Sequence, residues 1–369
     1  MKHLALALCL IGCTQSLDGM TGGGGGDDGT GSDPGSGSGS GGPSAPAGFV
    51  FSAYKDTSIN MDWNTNTIST SVSGTRVALA DDLSGAGGKA VTLAFATGEC
   101  GSENWGGIQG PAMATANATA LAGKGLDYIL STGGAAGSFT CSSDAGMMTF
   151  LSRWASPHLI GLDFDIEAGQ SPEVIGNLVQ RISAAHAAYP NMRFSLTLAT
   201  LANNNGGATA MSLGNAAPDS FNTYGDTTLA AMHTTFGTTW PSYVTVALMT
   251  MDYGSPSKGV CVVSGAACDM GQSALQAAYN LHDHWNVPWE NIELTPMIGG
   301  NDVAGEKFTL QDADTVAAFA IANKLAGVHY WSYDRDNDCP AGSASPTCNS
   351  LGNAGTRGFL TRFMADGMK

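Results

Sequence analysis

Gly161-Leu162-Asp163-Phe164-Asp165-Ile166-Glu167 alternates apolar and acidic residues. In an extended strand, successive side chains point to opposite faces. Asp163, Asp165 and Glu167 therefore share one face, and Leu162, Phe164 and Ile166 share the other. A solvated acidic face fits poorly, because the strand is otherwise apolar on both sides. Three carboxylates facing one interior are costly if all are charged, and like charges this close push at least one pKa strongly upward. A carboxylic acid kept neutral in this way can donate a proton to a leaving group. A metal site is the rival reading, but no histidine and no loop rich in carbonyl ligands accompanies the trio.

The acidic stretch is the fourth of eight short apolar runs. The sequence predicts strands at Phe49–Tyr54, Ala90–Ala96, Leu126–Ser131, Leu159–Asp165, Arg193–Leu198, Tyr243–Met251, Ile292–Met297 and Val328–Tyr333. Most are continuously hydrophobic, as parallel strands covered on both sides are. Helical patterns separate them, among them Pro172–Tyr189, Gly271–Trp285 and Asp312–Leu325, the last with Asp and Thr near its start and Gly327 past its end. Strand–helix alternation of this kind predicts an α/β fold, a (β/α)8 TIM barrel forming one catalytic domain over residues 48–369. An open doubly wound sheet is the alternative, but no Gly-x-Gly-x-x-Gly turn follows the first strand. Active sites of such barrels lie at the C-terminal ends of the strands. Here those ends read Tyr54-Lys55-Asp56, Glu99 to Trp105, Ser131 to Gly134, Asp163 to Glu167, Asp252-Tyr253, Asn301-Asp302 and Trp331 to Asp336.

These strand ends resemble the family 18 glycoside hydrolases, the chitinases and related endo-β-N-acetylglucosaminidases. Asp163-Phe164-Asp165-Ile166-Glu167 matches the core of that family's D-x-x-D-x-D-x-E motif, with Ile160 at the first Asp position. Ser131-Thr132-Gly133-Gly134 is similar to its Ser-x-Gly-Gly after the third strand. Met249-Thr250-Met251-Asp252-Tyr253 is similar to its Met-x-Tyr-Asp at the sixth, and Trp331 to the aromatic floor on the eighth. The resemblance implies cleavage of chitin or another N-acetylglucosamine polymer, with N-glycan cores and peptidoglycan as other substrates of the same chemistry. It implies Glu167 as the acid that later activates water, Asp165 as the group holding the acetamido N–H, and Asp163 as sharing a proton with Asp165. The substrate's own acetamido oxygen would be the nucleophile. Met251 stands where the family has Tyr, so Tyr253 or Asp252 is expected to hold the acetamido group. Trp331, Tyr54 and Trp105 are the candidate sugar-stacking platforms, and Ser131 and Met249 are further candidate contacts. A non-catalytic carbohydrate-binding protein on the same barrel is the competing reading, and the presence of Glu167 argues for the enzyme. No cofactor, metal or partner chain is implied, and a monomer is expected.

The formal net charge is −16, and only 12 % of the 369 residues are charged while 43 % are hydrophobic. So acidic a surface repels nucleic acid and anionic membrane surfaces, and an uncharged polysaccharide suits it better. Residues 1–13 read as a signal peptide: Lys2, the apolar run Leu4 to Ile11, and a Leu-Ile-Gly-Cys ending that resembles a lipobox, with Cys13 as the lipidated residue. That predicts an exported protein, anchored to a membrane through lipid. Residues 14–47, mostly Gly, Ser, Asp and Pro, read as a flexible tether. With Cys9 and Cys13 set aside, six of the eight cysteines remain, and in an exported chain they predict disulfides. Proximity favours Cys261–Cys268 and Cys339–Cys348, leaving Cys100–Cys141. A zinc site is the rival, but no Cys-x-x-Cys or Cys/His cluster has suitable spacing. Asp334-Arg335-Asp336-Asn337-Asp338 begins like a calcium loop but lacks the Gly and Glu that such a loop needs.

Overall fold

A computed structural model describes residues 48–204 and 220–369. The predicted signal peptide, the lipid site at Cys13 and the tether lie outside the described residues. Eight parallel strands close into a barrel: β1 Val50–Asp56, β2 Ala90–Ala96, β3 Asp127–Gly133, β4 Leu159–Ile166, β5 Arg193–Ala199, β6 Val244–Thr250, β7 Ile292–Pro296 and β8 Gly327–Tyr330. Each pairs with its sequence neighbours, and β8 pairs with β1 to complete the ring. The helices between them are α1 Leu79–Gly85, α2 Gly110–Gly123, α3 Asp144–Trp154, α4 Pro172–Ala188, α5 Thr223–Phe236, α6 Met270–Trp285, α7 Leu310–Asn323 and α8 Gly358–Ala365. This is the (β/α)8 barrel that the sequence predicts.

The helix after the acidic strand shows why these elements form. Ser171 caps α4 by accepting from the Val174 N–H, and Pro172 fits the first turn, where its missing N–H costs nothing. Ile175, Leu178, Val179 and Ile182 then make a buried stripe against the barrel. On β4 the faces divide as the alternation requires. Leu162, Phe164 and Ile166 join the buried apolar layer, while Asp163 bonds to side chains of β1, β3 and β5 inside the barrel.

Several boundaries shift by one to three residues from the sequence reading, and two of the shifts have a plain physical cause. Helix α7 starts at Leu310 because Thr309 and Asp312 form a capping box, which makes Asp312 the third helical residue rather than the start. Strand β8 stops at Tyr330, after which Trp331 makes one isolated bridge to Met297 and the chain turns through a 3-10 helix at Tyr333–Arg335. That turn belongs to an internal brace. Lys55 and Asp334 form a fully buried ion pair of 2.6 Å. Lys55 also donates to the carbonyls of Asp56 and Ile59, and Asp334 accepts from Asn60 and Thr70. Arg335 donates to the carbonyls of Ile298, Gly300 and Ser345. Asp336 accepts from the N–H groups of Phe359 and Leu360 at the start of α8. The acidic string that begins like a calcium loop is spent on these internal bonds.

The disulfides are Cys100–Cys141, Cys261–Cys268 and Cys339–Cys348, with Cα separations of 4.9, 5.7 and 5.7 Å. They join loops that follow β2, β3, β6 and β8, on the face where β4 ends in Glu167. Removing one member of a buried ion pair strands the other charge. Lys55→Ala should therefore destabilise the protein by roughly 3–5 kcal/mol, measured by denaturant unfolding; a loss below about 1 kcal/mol would remove the pair from the brace.

Candidate active site

Asp163 is completely buried, and both of its oxygens are held. Ser195 and Thr197 of β5 donate to Oδ1 at 2.8 and 2.7 Å. Ser131 of β3 and Tyr54 of β1 donate to Oδ2 at 2.5 and 3.1 Å. Burial pushes its pKa up, and the four hydroxyls oppose that shift. No hydrogen bond links Asp163 to Asp165 among the described residues. The proton sharing expected between them is replaced by four hydroxyl donors that use up the acceptor positions of Asp163.

Asp165 is 4 % exposed, and its Oδ1 has no hydrogen-bond partner among the described residues. Burial raises its pKa well above the ordinary range, and the charges of Glu167 and Asp163 add to the rise. Glu167 follows at the end of the strand, with its pKa pushed up to about 6, first by burial and then by the charge of Asp252, against a backbone bond from Ala135. The loop carrying Ala135 comes close because of Gly133. This residue has φ +92°, and a Cβ there would lie 2.2 Å from the Asp165 carbonyl oxygen, so only glycine fits.

The opposite wall is built from β6 and β7. Asp252, with φ +51°, accepts at Oδ1 from the N–H groups of Asp302 and Val303. Its own N–H donates to Asn301. Glu306 accepts from the N–H groups of Tyr253 and Gly254 at 3.1 and 3.0 Å and so clamps the turn that carries Asp252. Burial is the main cause that lifts Glu306 to about 7. Together these walls enclose a cavity of about 290 Å³ lined by Tyr54, Asp165, Glu167, Met249, Asp252 and Trp331, among others. Trp331 stacks on Phe95 with ring centroids 5.7 Å apart and planes at 18°.

Three sequence candidates fall elsewhere. Trp105 is 1 % exposed and packs on Trp154 at 5.4 Å, so it is a core aromatic and not a sugar platform. Tyr253 is buried beside the Glu306 clamp and is not among the cavity-lining residues, which leaves Asp252 of the pair on the cleft. Ser131 is fully buried and contacts Asp163 instead of a ligand. Tyr54 does line the cavity, but its hydroxyl is committed to Asp163. Phe95, Thr295 and Met297 line the cavity and were not singled out from sequence. Nor was Glu306, whose role depends on a turn more than fifty positions away, a contact that no local pattern announces.

No family model matches the chain. The catalytic domain of a hyperthermophilic chitinase from Pyrococcus furiosus superposes with a TM-score of 0.60 at 23 % identity, covering 88 % of this chain and 97 % of that one. The barrel has the fold of chitinase catalytic domains. Catalytic-site mutants of active domain 2 of a Pyrococcus furiosus thermostable chitinase, complexed with chito-oligosaccharides, match at 0.60 and 22 % identity with the same coverage. A xylanase–α-amylase inhibitor protein matches at 0.50 and 13 % identity, over 86 % of this chain and 99 % of that one. In sequence, a probable bifunctional chitinase/lysozyme of Escherichia coli K12 is 38 % identical over 100 residues. Those residues are 25 % of this chain, and the match spans 11 % of that protein's length. One architecture thus carries both hydrolases and an inhibitor, and the side chains of the cleft must separate them.

Carboxyls whose folded-state pKa lies above the unfolded value bind more protons when folded, so stability falls as pH rises between the two values. For Glu167 and Glu306 that window runs from roughly 4, the unfolded value, to about 6 and about 7. Thermal unfolding should show Tm declining from pH 5 to pH 8, and Glu306→Gln should flatten the part of the decline nearest pH 7. An unchanged slope in that variant would contradict the burial of Glu306 as a titrating clamp.

Proposed function

We propose that the chain is a chitinase-like glycoside hydrolase that cleaves β-1,4 linkages between N-acetylglucosamine units by substrate-assisted, retaining catalysis. The observation that carries this reading is the gradient along β4. Asp163 is saturated by hydroxyl donors, Asp165 lines the cleft with one buried oxygen unpartnered among the described residues, and Glu167 is poised at about 6. A carboxyl titrating near 6 is protonated often enough near neutrality to act as an acid, and acidic enough to give its proton up. Glu167 protonates the glycosidic oxygen as the bond to the anomeric carbon breaks. The substrate's acetamido oxygen attacks that carbon from the other side, while Asp165 holds the acetamido N–H and stabilises the positive charge that develops. Glu167, now a carboxylate, then takes a proton from the water that opens the intermediate.

Of the three, Asp165 and Glu167 line the cleft and come from one side of it while Asp163 is buried beneath them, so none of them is placed as a nucleophile for the far face of the sugar. Trp331, supported by Phe95, supplies a flat apolar floor for a sugar ring. The second reading, a non-catalytic carbohydrate-binding or inhibitor protein, draws on the similarity of the fold to an inhibitor. It gives no reason for a proton donor tuned to about 6 at the end of β4. Export and lipid anchoring through Cys13 belong to the same proposal, because a polymeric substrate lies outside the cell.

Glu167→Gln should lose roughly 10²–10⁴-fold in turnover and still bind N-acetylglucosamine oligomers, and the wild type should leave glucose oligomers and fully deacetylated chitosan essentially uncut. Hydrolysis by the variant near the wild-type rate would remove Glu167 from the mechanism. Comparable cleavage of the non-acetylated polymers would remove the acetamido group from it.

A further inference from the structure

Thr295 stands on β7 inside the barrel, paired in register with Met249 of β6. It lines the same cavity as Asp165 and Glu167, is 2 % exposed, and its Oγ1 has no hydrogen-bond partner among the described residues. Burying a hydroxyl without a partner is unfavourable, and valine would fill the same volume without that cost. The surroundings sharpen the question, since Met249, Met251 and Met297 line the cavity around it and offer at most weak thioether acceptors. Of the hydroxyls lining this cavity, Tyr54 and Thr197 already donate to Asp163. Thr295 is the uncommitted one.

A buried hydroxyl and a buried carboxyl oxygen, each unpartnered and set on different walls of one cavity beside three thioethers, form a recognisable complement. A secondary amide with a methyl group needs an acceptor for its N–H, a donor for its carbonyl oxygen and an apolar surface for the methyl. Asp165, Thr295 and the methionines supply these in turn. We propose that Thr295 Oγ1 donates to the carbonyl oxygen of the sugar's acetamido group and so sets both the preference for acetylated sugars and the aim of the attacking oxygen. This rests on the proposed hydrolysis and adds a specificity-determining contact to it. A hydroxyl on β7 thereby faces the cavity where Met251, just past the end of β6, offers only a thioether.

The test compares the full-length wild type with Thr295→Val and Thr295→Ser. For the valine variant, kcat/KM on soluble N-acetylglucosamine oligomers should fall about 10-fold or more, the scale of one lost hydrogen bond in a desolvated site. Its Tm should be unchanged or higher, since an unpartnered hydroxyl has gone, and the serine variant should recover most of the activity. Calorimetric binding of the same oligomers to Glu167→Gln, with and without Thr295→Val, gives a readout that needs no turnover and should weaken by a similar factor. Wild-type kinetics and affinity in Thr295→Val would overturn the inference, as would a fall in Tm that matches the loss of activity. If the wild type cleaves no oligomer yet binds it through Thr295, the hydrolase reading fails and this contact stands. If it neither cleaves nor binds, both fail.

Discussion

Asp163 is the residue around which the barrel interior is organised. It is buried, makes no ion pair among the described residues, and is tolerated because hydroxyls from β1, β3 and β5 converge on it. That arrangement fixes register. Asp163 lies opposite Ser131 on β3 and opposite Ser195 on β5, and a slip of one residue would turn every β4 side chain to the wrong face. The same register carries Asp165 and Glu167 to successively shallower positions, so that each carboxyl meets a different mixture of burial and charge. Chemistry at the mouth of the barrel therefore depends on hydroxyls in its centre.

A second set of contacts keeps the mouth in shape. The buried Lys55–Asp334 pair joins the end of β1 to the turn after β8, and the Glu306 clamp joins the turn after β6 to the loop after β7. The three disulfides lie in loops of this same face. Both walls of the cleft are thus held by bonds that do not involve a ligand. Such preorganisation is what an electrostatic site needs, because groups already in place require no reorganisation as charge develops.

The barrel was legible in the sequence because strand and helix periods are local, and so was the face of β4, because alternation along a strand is local too. The three disulfides followed from an even count, two short spacings and the one pair then left over. What escaped was decided by packing. Trp105 and Trp331 both follow barrel strands, yet one is wedged against Trp154 in the core and the other against Phe95 at the cleft. Nothing in their flanking residues separates those fates. Tyr253 sits one residue beyond Asp252 but is buried, because the turn is pulled down by Glu306. The boundary of β8 was missed for a similar reason: the chain leaves the sheet to place Asp334 against Lys55, a partner 279 positions earlier. Thr295 was invisible because a threonine in a strand is ordinary, and what marks it is a missing partner.

Asp165 and Glu167, the two acidic-strand carboxyls that reach the cleft, stand on one side of it and leave the far face of the sugar to the substrate's own acetamido oxygen. The most direct measurement is a proton NMR time course of N-acetylglucosamine oligomer hydrolysis, read before mutarotation scrambles the new reducing end. Attack by the acetamido oxygen followed by water inverts the anomeric carbon twice, so the first product should carry the β-anomer. An initial α-anomer would mean a single direct attack by water, and with it a base on another strand, Asp252 first among the residues to be examined.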